Sequence, residues 1–134
     1  MSGDKFAIPA SVVSPEVLLI EPDHVILDRL INPIQAAGFE VVHADEFFDA
    51  VELLRARPFA AVITAHRLGP YNGLHVVLRA RRLRPGITTI VTCTTEDSVL
   101  CREANMFGAT AIVAPWENPA ELLVALKAPG IQIA

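Results

Sequence analysis

The sequence has only two cysteines, Cys93 and Cys101, in no CxxC pair and too few for a disulfide framework. That usage predicts a reduced, cytoplasmic setting, with Cys93 as a buried thiol. Positive charge is not in excess. Eleven Lys and Arg against fifteen Asp and Glu leave a net charge of −4, so no nucleic-acid partner is expected. No apolar run approaches the length of a membrane span, and MSGDKFAIPASVVSPE lacks the apolar core of a signal peptide, so no membrane association is expected. Internal repeats and low-complexity blocks are absent as well. One further absence bears on chemistry: no aspartate occurs anywhere between Phe59 and Thr95.

What the chain does have is apolar content, 52% over 134 residues, enough to build one domain with a core buried on both sides of a sheet. Residues 1–15 mix Ser, Pro and Gly without period and read as a flexible lead-in; 16–128 read as the domain and 129–134 as a short tail. Strands are expected at Val17–Ile20, Phe39–His43, Phe59–Thr64, Ile87–Cys93 and Ala111–Val113. Helices are expected at about His24–Ala37, from Asp45 to Arg57, Leu74–Leu83, Ser98–Phe107 and Pro119–Lys127. Asp23 and Asn118 are positioned as N-caps, Gly38 and Gly108 as stops, and Pro33 predicts a kink or a split last turn. Phe48, Val51 and Leu54, or close neighbours, form the core side of the second helix. Five strands alternating with five helices give a doubly wound α/β domain, a three-layer α/β/α sandwich around a parallel sheet.

In such sheets function gathers beyond the carboxyl ends of the strands. There the chain offers Glu21, Pro22 and Asp23 after strand one, and Ala65 and His66 after strand three. Cys93 and Thr94 follow strand four, and Ala114 and Pro115 follow strand five. Several motifs in order, VLLIEPD, AAGFEVVHAD, LGPYNGL, ANMFGA and the AP step, resemble the receiver domain of bacterial two-component response regulators over about residues 16–127. The resemblance implies a flavodoxin-like five-stranded sheet of order 2-1-3-4-5. It also implies a signalling role in a phosphorelay. In that family two acids and an aspartate hold Mg²⁺, the aspartate accepts a phosphoryl group, and a hydroxyl and a lysine contact it. Matched onto this chain, the acid pair falls on Glu21 and Pro22, the acceptor on Ala65, the hydroxyl on Cys93 with Thr94 one step off, and the lysine on Ala114. The switch aromatic falls on Ile112.

Alanine carries no nucleophile, and Pro22 and Ala65 remove two of the carboxylates that Mg²⁺ would need. The resemblance therefore implies a pseudo-receiver: no phosphoryl transfer, no enzyme activity and no Mg²⁺ cofactor. Glu21 reads as a solvated strand-end residue and Asp23 as a cap. His66 reads as an exposed loop histidine, and His24, His43 and His75 as scattered ones. The arginines from Arg79 to Arg84 read as a solvated helix end. On the fourth helix Leu100, Ala104 and Phe107 should face the sheet. Val99, Arg102 and Met106 should face outward and, bordered by Trp116, form a contact face for a protein partner, possibly a second copy. Two alternatives stay open: a small-molecule sensor using a pocket lined by Ala65, Cys93 and Ala114, and a true receiver whose register is displaced.

Overall fold

Strand β1, Glu16–Ile20, is apolar at four successive positions because both its faces are covered. Leu18 and Ile20 point to one side of the sheet, Val17 and Leu19 to the other. The computed structural model describes residues 14–128, with the side chain of Leu100 left aside; the lead-in expected over 1–15 lies almost wholly outside that range, as does the tail 129–134. Helix α1 (His24–Ala36) follows, then β2 (Glu40–Ala44), α2 (Phe47–Ala56) and β3 (Ala61–Ala65). A two-residue hairpin, β4 (Arg67–Leu68) and β5 (Tyr71–Asn72), leads into α3 (Gly73–Leu83) and β6 (Thr88–Cys93). The last elements of the described residues are α4 (Ser98–Cys101), a 3₁₀ segment at Arg102–Phe107, β7 (Thr110–Val113) and α5 (Ala120–Lys127).

The main sheet is parallel throughout, in the order β2-β1-β3-β6-β7. Without the hairpin strands this is the flavodoxin-like order 2-1-3-4-5 expected from the resemblance. Helices α2 and α3 cover one face, where Phe47, Leu54, Phe59, Val76 and Ala80 pack on Leu18, Ile20 and Val62. Helices α1 and α5 cover the other, where Leu27, Leu30, Ile34 and Leu122 pack on Leu19, Ile63, Ile90 and Ile112. Each of these larger side chains, Ala80 apart, contributes roughly 1.5–3 kcal/mol by leaving water.

Several local expectations need correction. Helix α1 continues through Pro33 to Ala36 without a break. Proline removes one backbone bond, and the buried Leu30 and Ile34 on either side hold the turn against that loss. Helix α2 starts later than expected, with Glu46 as its cap, so Phe47 turns inward and Phe48 is left 58% exposed. The fourth helix is α-helical only for Ser98–Cys101 and then tightens to 3₁₀. Cys101 and Ala104 take its inward positions, while Phe107, at the turn before Gly108, stays exposed. The hairpin was not legible as strands: two residues a side are too few to show alternation. Gly73 closes it, because a Cβ there would stand 2.5 Å from the Ala65 carbonyl oxygen.

Candidate functional site at the strand ends

The carboxyl ends of β1, β3 and β6 frame an open cavity of about 250 Å³. Pro22, Ile26, Ala65 and Trp116 give it apolar walls, and Glu21, His66, Thr92 and Asp97 bring polar groups to it. Ala65 ends β3 opposite Thr92 of β6, so the parallel register places its methyl group at the mouth of the sheet.

Glu21 is buried, against the expectation of a solvated residue. It follows the last residue of β1, and its backbone N–H still donates to the Ala44 carbonyl at the end of β2. Burial pushes its carboxyl above the usual carboxylate range; the Asp23 N–H bonded to Oε2 at 3.0 Å opposes that, and the Asp23 charge adds to it. Asp23 is the expected helix cap, with Oδ1 accepting from Val25 and Ile26 at 2.9 and 3.2 Å. His66 is half-buried, not exposed, and its ring Nδ1 is buried without a hydrogen-bond partner.

Arg67 and Asp97 close one side. Nε and the terminal guanidinium nitrogen donate to the two carboxylate oxygens at 2.6 and 2.8 Å. This pair holds the Asp97 carboxyl below the usual range, chiefly through the Arg67 hydrogen bonds and against burial. Asp97 is placed by its loop turn, its N–H donating to Thr94 Oγ1 at 3.3 Å. Sequence reasoning missed both residues; the one available signal was that each lies just beyond a strand's carboxyl end.

Cys93 and Thr94 line the cavity as expected. Cys93 does so as one half of a disulfide with Cys101, which corrects the reading of it as a free thiol. Ala114 and Pro115 are not among the lining residues. Ala114 instead turns the chain at a left-handed φ of 47°, its N–H donating to the Cys93 carbonyl at 2.8 Å. Trp116 belongs to the cavity, not to an outer border of α4, because that turn after β7 folds it back over Ile26 and the sheet.

On the expected contact face, Val99 and Met106 are 75% and 83% exposed and Arg102 is exposed. His24 and His43 are not scattered: their Nε2 atoms lie 3.2 and 3.1 Å from Asp45 Oδ1. His75 completes a capping box at the start of α3, its Nδ1 accepting from the Asn72 N–H. Among the described residues no three His, Cys, Asp or Glu side chains are arranged to hold a metal ion. Pro22 and Ala65 bring no side-chain carboxylate to the strand ends, Asp23 is used as a cap, and burial favours the protonated form of Glu21.

No protein-family model matches the chain, and no curated protein sequence matches it. Solved structures do. The chain is similar to the signal receiver domain of an HD domain-containing protein from Pseudomonas fluorescens Pf-5, at 28% identity and TM-score 0.73, covering 85% of this chain and 92% of that one. It is also similar to a response regulator receiver protein from Sinorhizobium medicae WSM419, at 21% identity and TM-score 0.74, covering 84% and 91%. The signal receiver domain of a putative Luxo repressor protein from Vibrio parahaemolyticus matches at 16% identity and TM-score 0.73, over 86% and 92%. The structural neighbours are thus response-regulator receiver domains, and the fold is theirs.

Proposed function

We propose that this chain is a receiver-like signalling module that works without accepting phosphate, by binding a protein partner. The observation that carries the reading is Ala65 at the end of β3, where the cavity has a methyl group and no nucleophile. The remaining acids of the cavity are each engaged otherwise: Glu21 is buried, Asp23 caps α1, and Asp97 is paired with Arg67. A displaced register gains no support, since β3 contains no aspartate at any position. The module has no catalytic role and needs no Mg²⁺. Its contact face is Val99, Arg102 and Met106, continued by the exposed Val113 on β7, which packs beside the 3₁₀ segment. A second copy of the chain is one occupant of that face.

Two measurements test this. Incubation with a small phosphodonor and Mg²⁺ leaves the intact mass unchanged; a phosphoryl adduct overturns the reading. Wild-type and folded Val99→Asp/Met106→Asp baits are then compared by affinity capture and mass spectrometry. A protein lost only from the variant supports the face, and identical catches count against it.

A second reading, a small-molecule sensor, is favoured by the cavity itself. Its apolar walls, buried Glu21 and unpartnered His66 Nδ1 suit a small uncharged ligand with hydrogen-bonding groups. A metabolite screen by thermal shift, with no compound raising the melting temperature, removes it.

A further inference from the structure

We propose that Cys93 and Cys101 are a reversible redox modification site that fastens the α4 segment to the sheet. Cys93 is the last residue of β6 and Cys101 the last of α4; both are buried, and they are joined in this structure. Their Cα atoms are 6.0 Å apart, a separation that disulfides ordinarily span. The reduced state is accommodated by the same backbone. The Cys93 sulfur lies 3.5 Å from the Ile112 carbonyl oxygen and the Cys101 sulfur 3.8 Å from that of Val91, so each thiol has an acceptor.

The bond matters because the described side chains of the segment it holds bury little apolar surface. Among the described side chains of residues 98–107, only Cys101 and Ala104 are buried, and both are small. Residues 102–107 are 3₁₀, a helix with poorer hydrogen-bond geometry than the α form. Few buried side chains and weaker helix hydrogen bonds mark a segment of low local stability. The covalent link therefore adds to the packing of Cys101 and Ala104 on Val77 and Val91. It also ties the exposed Val99 to the cavity, because the loop it closes contains Thr94, Asp97 and Val99.

The chemistry is thiol–disulfide exchange with a dithiol. A thiolate of the dithiol attacks one cysteine sulfur and expels the other as a thiolate; its second thiol then resolves the mixed disulfide. The dithiol leaves as its cyclic disulfide, two electrons pass to the cysteines, and each takes up a proton. Since both sulfurs are buried, exchange waits on α4 lifting from the sheet. Anything that holds α4 down slows it.

The test uses the whole chain with no partner present, so its outcome is independent of the contact-face reading. Protein equilibrated with glutathione disulfide, or with dithiothreitol, is unfolded in the presence of an alkylating agent and weighed. The expected result is no alkylated cysteine after oxidation and two after dithiothreitol. Hydrogen exchange is then compared between the two forms. Amides of residues 98–107 exchange about tenfold or more faster in the reduced form, while β1 and β3 are unchanged. A Cys93→Ser/Cys101→Ser variant exchanges like the reduced form in both buffers. Failure of the bond to form, failure of dithiothreitol to open it, or equal exchange over 98–107 in the two forms overturns the proposal. The wild-type comparison stands even where the double variant does not fold.

Discussion

Arg67 and Asp97, thirty residues apart in the chain, meet in a two-point ion pair beside the strand-end cavity. Arg67 extends from the hairpin after β3 and Asp97 from the loop after β6, so the pair ties two crossover connections together. The Arg67 side chain is 72% exposed, which leaves the interaction open to salt.

Removing Arg67 lets the Asp97 carboxyl titrate nearer the ordinary range. Because the folded form holds that carboxyl low, its contribution to stability is present above the unfolded pKa and is lost as pH falls through the folded value. Arg67→Ala therefore flattens the acid limb of the stability curve. A side-chain carboxyl titration of Asp97 by NMR, in wild type and variant, reads the shift directly; identical titration curves refute it.

Glu21 acts with the opposite sign. Burial raises its folded pKa, so the native state holds the proton longer than the unfolded chain does. Stability from this group is full below the unfolded pKa and declines as pH rises from the ordinary carboxylate range to the folded value. Glu21→Gln removes that decline. Denaturant unfolding at a series of pH values should show the variant gaining on wild type as pH rises, with the two closest in acid.

Gly73→Ala destabilises the fold. The added Cβ meets the Ala65 carbonyl oxygen at 2.5 Å and Thr64 Cγ2 at 3.0 Å, and the first of these is backbone that cannot move aside. A cost of about 2 kcal/mol or more follows for a clash at this hairpin closure. Urea unfolding of the two proteins measures it, and a midpoint shared with wild type refutes the clash.

Ala114→Gly does the reverse. Ala114 occupies a left-handed φ of 47°, where an L side chain costs on the order of 1 kcal/mol and glycine costs nothing. Part of the gain is offset by the freer unfolded chain. A rise in melting temperature of a few degrees is the expected reading, and a fall would show that the alanine methyl contributes packing that outweighs its strain.

Much of the fold was legible because its signals are local. Buried strands read as apolar runs, helices as periodic stripes, and Gly38 and Gly108 as stops, each decided by neighbours a few residues away. The expected strand boundaries fell within about two residues of the observed ones for the same reason. Where the local signal was thin, errors were local too: Phe47 and Phe48 are equally apolar, and only the position of the Glu46 cap decides which turns inward.

By itself the sequence determined a parallel α/β domain and put an alanine, not an acid, at the end of β3, since these follow from period, order and residue identity. Tertiary structure alone decided what meets at the strand ends. The burial of Glu21, the Arg67–Asp97 pair, the inward turn of Trp116, the meeting of His24 and His43 on Asp45, and the joining of Cys93 to Cys101 all depend on side-chain placement set by packing. Such contacts are settled when crossovers bring separate strand ends to one edge of a sheet, or when a short helix settles on its strand. Residue spacing along the chain carries no record of either.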